Sequence, residues 1–253
     1  MTRTARGRLR IALWPAIAGL MVLAGCQGAQ PFAAVSPSPS PSLATPRSLA
    51  APSPTISPSS SPSPAAGDLR PGARGPEVLA LQNRLVALGF WLGTPDGRYG
   101  GSTTHAVTAF QKAQGLRRDG VAGPATRAAL QRVTPPEPRS STGRLIEIDL
   151  RRQLLLLVSG GRVQWVLDTS TGAVAGTTPR GRFTIYREVN GYRHAPLGVL
   201  YRPKYFHEGV AVHGYTNVPP YPASHGCVRV TYAAMDWLWS SDAMPLGTPV
   251  WVY

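Results

Sequence analysis

The sequence predicts a multidomain chain, with a small all-α domain of three helices followed by a mainly-β sandwich. Three observations carry this. A Pro/Ser/Ala tract sets the amino terminus apart from all that follows. Apolar residues between Asp68 and Arg132 recur at helical spacing, and after Gly143 short apolar runs of strand character take over. With 26 prolines in 253 residues, the chain is too proline-rich for one compact domain.

Residues 1–25 read as a signal peptide. Arg3, Arg6, Arg8 and Arg10 form a basic start without an acid, and the apolar run Ile11–Leu23 leads to Leu23-Ala24-Gly25-Cys26. That run contains Pro15 and falls short of the about 20 residues a bilayer span needs. The Leu-Ala-Gly-Cys ending resembles a lipobox, which implies that Cys26 becomes the lipidated first residue of the mature protein. Residues 26–67 then form a Pro/Ser-rich linker with Ser-Pro repeats at 36–41 and around 59–64. Proline removes backbone donors, and the tract has too little apolar surface to offset the entropy of ordering, so a partly polyproline-II stalk is expected. At ~3.1 Å per residue its reach is on the order of 100 Å.

In the helical domain, 68–132, Val78, Leu81, Leu85 and Leu88 form a one-sided stripe, with Gly89 as the stop. Ser102 is expected to cap a second helix carrying Val107 and Phe110 and ending at Gly115, and Pro124 opens a third with Ala129 and Leu130. His105 is expected in solvent. An internal echo links Asp96-Gly97 before Thr103 with Asp119-Gly120 before Thr126 at equal offsets. Together with Leu81-Gln82 and Phe110-Gln111, these positions resemble the three-helix peptidoglycan-binding domain. Such a segment is expected to fold and to bind wall material by itself. Most matched positions are turn and core residues; Arg98 and Tyr99 either line a groove or pack. Residues 133–142, with Pro135, Pro136 and Pro138, form a short stiff hinge.

Beyond Gly143, strands are expected at 145–150, 153–158, 163–168, 182–189, 210–213 and 249–253. Ser159-Gly160-Gly161 is read as a hairpin turn, and 232–240 as a single helix with Met235 and Leu238 facing inward. Tyr205, Phe206 and His194 are assigned to core packing. The chemistry gathers in His213-Gly214 and Ser224-His225-Gly226-Cys227-Val228-Arg229. If Cys26 is lipidated, Cys227 is the one free thiol in an exported chain, where cysteines usually pair. A thiolate is the reactive form, a free thiol titrates near ~8.5, and an adjacent imidazolium lowers that value. On this reading Cys227 is the nucleophile and His213 the general base. His225 either shares the base role or shapes the loop. The amides around Gly226 and Cys227 hold an oxyanion, and Ser224 orients the loop. Arg229 either anchors a substrate carboxylate or forms an ion pair inside the fold. His213, His225 and Cys227 are also zinc-donor types, but no fourth ligand or acidic base stands near them, so no metal or cofactor is expected.

These residues, with Thr178-Pro179-Arg180-Gly181-Arg182-Phe183 upstream, resemble the L,D-transpeptidase catalytic domain of the YkuD type over 143–253. The resemblance implies a thioester acyl-enzyme, a peptidoglycan stem tetrapeptide as donor, a 3→3 cross-link as product, Gly214 beside the substrate and sensitivity to carbapenem β-lactams. The gap from His213 to Ser224 is shorter than in the best-known members. A non-catalytic wall-anchoring lipoprotein and an L,D-carboxypeptidase are the alternatives. The formal charge of +14, or +10 without the four leader arginines, is scattered. No basic stripe interleaved with aromatics speaks for nucleic acid, whereas an anionic wall or membrane surface suits a dispersed charge. A lipid anchor on the outer face of the cytoplasmic membrane, with the wall in reach, is the location expected.

Overall fold

The helical stripe folds as its spacing requires. Helices α1 (Pro76–Ala87), α2 (Gly101–Gln114) and α3 (Pro124–Arg132) form, two of them opened by a first-turn proline. Val78, Leu81, Leu85, Val107 and Phe110 are buried together, and Phe90 meets Phe110 edge to face at 5.4 Å. This computed structural model describes residues 67–253. The signal peptide, Cys26 and the linker up to residue 66 lie outside the described residues.

The internal repeat has a physical meaning. The Gln82 carboxamide donates to Asp96 Oδ1 at 2.9 Å, Arg98 O at 3.0 Å and Thr103 Oγ1 at 2.9 Å, and it accepts from the amides of Asp96 and Gly97. Gln111 does the same one unit later, with Asp119 Oδ1 at 2.8 Å, Val121 O at 3.0 Å, Thr126 Oγ1 at 3.2 Å and the Gly120 amide at 2.9 Å. Each buried glutamine thus satisfies one Asp-Gly turn and the start of the helix after it. Tyr99 packs rather than lining a groove, and its hydroxyl donates to Gly120 O at 2.7 Å. Arg98 is exposed.

Strands β1 (Arg144–Asp149), β2 (Leu154–Ser159), β3 (Arg162–Asp168), β4 (Gly181–Thr184) and β10 (Pro249–Val252) make one sheet, ordered β3-β2-β1-β10-β4. Within it β1 and β10 run parallel, and the other pairs are antiparallel. The second sheet runs β5 (Arg187–Glu188), β7 (Gly198–His207), β8 (Val210–Gly214), β9 (Val228–Val230), with β6 (Tyr192–Ala195) also paired to β7. Helix α4 (Tyr232–Ser240) begins at Thr231, whose hydroxyl caps Ala234 N, and buries Met235 and Leu238 against Val212 and Val228.

The run Leu154–Val158 explains the layering. Leu155 and Leu157 face the second sheet and α4, while Leu154, Leu156 and Val158 face the helices. The first sheet is therefore covered on both faces, which is why the run is continuously apolar rather than alternating. The helical segment is accordingly not self-contained: its core is shared with the sheet. Residues 89–91 also pair along β3, with Val166 N donating to Gly89 O at 2.7 Å and Trp91 N to Val166 O at 3.0 Å. The hinge is tied down at Glu147, whose buried carboxylate accepts from the amides of Arg139 and Ser140, the Ser140 hydroxyl and the Tyr253 hydroxyl.

Several expectations change. Ser102 does not cap α2; Gly100 stands at the N-cap without a side-chain bond. His105 is half-buried, with Nδ1 2.6 Å from Asp168 Oδ2, because the sheet covers that side of α2. The run 182–189 is two strands in different sheets, since the chain crosses over at the buried Ile185. Strands β6 and β7 were not foreseen, Pro196 and Pro203 having broken the pattern. Tyr205 and Phe206 pack as expected, but His194 is exposed on the β6–β7 hairpin.

Replacing Gln82 by Leu removes the five hydrogen bonds it makes to the part-buried Asp-Gly turn and Thr103, a loss of about 3 kcal/mol. The melting temperature should fall by about 5–10 °C on that basis. An unchanged thermal transition would show that the carboxamide is not what holds the turn.

Candidate active site

Strands β8 and β9 are parallel, with Val212 opposite Val228 and His213 opposite Arg229. Cys227 immediately precedes β9, a three-residue strand that sequence reasoning merged into the loop. The Ser224–Cys227 turn closes on itself. Ser224 Oγ accepts from the Gly226 amide at 3.0 Å and donates to Cys227 O at 2.6 Å. Gly226 has φ 143°, and a Cβ there would lie 2.6 Å from Thr177 O, so no other residue fits. Its carbonyl accepts from Thr178 Oγ1 at 2.7 Å, and that hydroxyl accepts from the Gly172 amide at 2.9 Å. The Gly226 amide is thus already engaged by Ser224 and does not serve an oxyanion, which leaves the Cys227 amide as the candidate donor.

His213 is 4% exposed, and its Nδ1 donates to Gly214 O at 2.9 Å. That bond fixes the tautomer and leaves Nε2 with its lone pair. Burial, aided by the Arg229 charge, pushes the imidazole down to about 4, although the bond to Gly214 pulls the other way. Burial likewise pushes the Cys227 thiol up, against smaller opposing effects of the Ala211 backbone and Arg229. The thiol is half-buried, with Sγ 3.8 Å from Gly209 O. The expected imidazolium beside a thiolate is therefore not the resting arrangement. Both groups are neutral because desolvation outweighs the opposing effects of the nearby backbone.

Arg229 takes part in no ion pair among the described residues, so the ion-pair alternative is not realised. Its guanidinium lies 4.1 Å over the Tyr215 ring, Nη1 donates to Ala223 O at 3.2 Å, and Nε is buried without a partner. His213, Ser224, His225, Gly226, Cys227 and Arg229 all line one cavity of about 480 Å³. His225 is exposed at its rim. Gly214 does not line the cavity; it is buried where a Cβ would come within 2.8 Å of both Tyr201 and Tyr232, and its contribution is the carbonyl that holds His213. Arg187, Arg193, Leu197, Tyr205 and Tyr215 complete the walls, and the lining contains no carboxylate. Sequence reasoning missed Arg193 and Leu197 because the hairpin that brings them here was itself unforeseen, and it assigned Tyr205 to the core alone. Among the described residues no group of three or more His, Cys, Asp or Glu is arranged to hold a metal.

Because the His213 pKa is lower in the fold than its ordinary 6.5, the unfolded chain binds the extra proton between those values. His213 thus contributes stability that is complete above pH 6.5 and is lost as the pH falls toward 4. The shift corresponds to about 3 kcal/mol. Denaturant unfolding at pH 7 and pH 4.5 should show a smaller acid-induced loss for His213→Asn than for the parent chain. Equal losses would contradict a buried neutral imidazole.

Residues 143–252 match the model of the L,D-transpeptidase catalytic domain (YkuD), and residues 74–130 that of a putative peptidoglycan binding domain. The crystal structure of an L,D-transpeptidase from Xylanimonas cellulosilytica DSM 15894 is similar with a TM-score of 0.72 and 50% identity. That likeness covers 75% of this chain and 99% of the other. Among curated proteins, a probable N-acetylmuramoyl-L-alanine amidase of Bacillus licheniformis is 48% identical over 64 residues, 24% of this chain and 18% of that protein. The N-acetylmuramoyl-L-alanine amidase CwlM of Mycobacterium tuberculosis is 34% identical over 100 residues, 40% of this chain and 24% of that protein. The chain spans about a fifth of the length of the curated relatives it matches. With the catalytic-domain model matched and a half-identical solved relative covered almost end to end, the chain belongs to the L,D-transpeptidase family.

Proposed function

We propose that the chain transfers acyl groups between peptidoglycan stem peptides through a thioester on Cys227. Cys227 Sγ attacks the carbonyl of the diamino acid of a stem tetrapeptide, in its amide bond to the fourth residue, and His213 Nε2 takes the thiol proton as the bond forms. Proton removal in step with attack suits a pair that rests neutral, because no charge is buried before substrate arrives. The Cys227 amide donates to the tetrahedral oxyanion. His213 returns the proton to the leaving amine. The side-chain amine of a second stem, deprotonated by His213, then resolves the thioester to a 3→3 cross-link and frees the thiol. Arg229, which has no ion pair among the described residues and lines the same cavity as the thiol, receives a substrate carboxylate. His225, exposed at the rim, shapes the approach.

The observation that carries this reading is the Nδ1 bond of His213 to Gly214 O, which leaves Nε2 as a base in the cavity that Cys227 lines. The match of residues 74–130 to a peptidoglycan-binding model supports wall binding by the helical module. Lipidation of Cys26 and a stalk over 26–67 would hold the enzyme at the membrane within reach of that wall, in the bacterial envelope.

A carbapenem offers a strained amide to the same nucleophile and should add once, at Cys227. Intact-mass measurement and peptide mapping on the full chain should show one adduct, absent from a folded Cys227→Ala chain. In His213→Ala its formation should slow by on the order of 10² or more. No mass gain on folded, reduced protein, or an adduct that survives Cys227→Ala, overturns the assignment. Incubation with a tetrapeptide stem and mass analysis of the products should give the cross-linked dimer; tripeptide alone would mark a carboxypeptidase.

A further inference from the structure

Lys112 lies on α2, in the helical module, and is 1% exposed. Its three ammonium protons are all used, toward Asp168 Oδ1 at 2.5 Å, Thr169 O at 2.8 Å and Gln153 O at 3.1 Å. The other Asp168 oxygen takes His105 Nδ1. One bond to Asp168 is enough to balance the charge; the other two grip main-chain carbonyls of the β-region. Burial pulls the Lys112 pKa down, which marks the cost of keeping an ammonium there. Buried ion pairs are often no more stable than apolar residues of similar volume, so the value of this one is sought in the position of the main chain it grips.

What Lys112 grips runs directly beneath the active-site motif. Thr169 Oγ1 donates to Arg229 O at 2.6 Å, Ser170 N donates to the same carbonyl at 3.1 Å, and Arg229 N donates to Ser170 O at 2.9 Å. Thr171 O accepts from Ala223 and Ser224 N, both at 2.9 Å. Gln153, at φ 62°, clasps Thr171 through Oε1 at 2.8 Å and Nε2 at 2.7 Å. Thr169, Ser170 and Thr171 are buried, so no solvent takes up a displaced bond. The module also reaches the loop from the other side, where Arg118 Nη1 donates to Pro220 O at 3.2 Å.

We propose that Lys112 is a positioning residue of the acyl-transfer site, holding the Thr169–Thr171 strap against the strand that carries Arg229 and follows Cys227. The helical module is then a structural part of the catalytic centre, not only a binding attachment. This rests on the proposed role of Cys227. Misplacement of a reacting group by about 1 Å costs on the order of 10² in rate.

The test is the rate of carbapenem adduct formation at Cys227 in the full chain, with the thermal transition measured alongside. Thr169→Val keeps the shape and loses the hydroxyl, whereas Thr169→Ser keeps the hydroxyl and loses the methyl. Lys112→Met/Asp168→Asn removes both charges together. The expected result is adduct formation about tenfold slower or more in Thr169→Val and in the double variant, both folded at the assay temperature although the orphaned carbonyls lower the melting point of the double variant, and rescue in Thr169→Ser. The slowing should appear in the limiting rate at saturating carbapenem, not in the concentration giving half that rate. Parent-like rates in Thr169→Val or in a folded double variant overturn the proposal. So does a Thr169→Ser chain as slow as Thr169→Val, which would indicate packing, or a double variant that fails to fold, which would make the pair structural. No adduct on the parent chain would instead overturn the proposed function, and this inference with it.

Discussion

Because β8 and β9 run parallel, the chain must travel back between them, and residues 215–227 make that passage over the end of the second sheet. A parallel pair cannot be joined by a tight turn, so a loop of about a dozen residues is the least that serves. It delivers Cys227 to the start of β9, next in register to β8 and its His213. The site's electrostatics follow from the same pairing. Arg229 opposite His213 and the burial of both strands keep the imidazole neutral, and the Gly214 carbonyl on the same strand decides which nitrogen is left free.

The second constraint is that buried main chain must find partners. Where β3 ends, Asp168 to Gly172 run beneath the motif as irregular backbone. Their polar groups are met by Gln153, Thr178, the main chain of 223–229 and Lys112. Much of the specificity of the local shape lies in these bonds rather than in apolar packing. The helical module uses the same device, with Gln82 and Gln111 each bonded to the main chain of one Asp-Gly turn.

The helices and most strands of the first sheet were legible because their signals are local: a stripe at helical spacing, Pro124 at a first turn, a Gly-Gly hairpin. The motif was legible as chemistry, since Cys227 with His213 and Arg229 needs only residue types and order. What stayed hidden depends on distance. Nothing local marks Lys112, a lysine among alanines and glutamines, as the partner of an aspartate 56 residues on. The neutral state of His213 and Cys227 follows from burial that two other strands provide. The use of the Gly226 amide by Ser224 depends on the loop's own closure. Strands β6 and β7 escaped because Pro196 stands between them and Pro203 interrupts β7, although pairing across the hairpin overrides that local cost.

The unbroken apolar run of β2 has a bearing on truncation. One side of Leu154–Val158 is covered by the helices, and the outer edge of β3 is closed by residues 89–91. Five consecutive apolar residues, beside a sheet edge with open donors and acceptors, are a template for pairing with another chain. Cutting away the helices therefore does not release a smaller enzyme. It uncovers a sticky face and an unprotected edge at once, and the shortened protein is set up to self-associate.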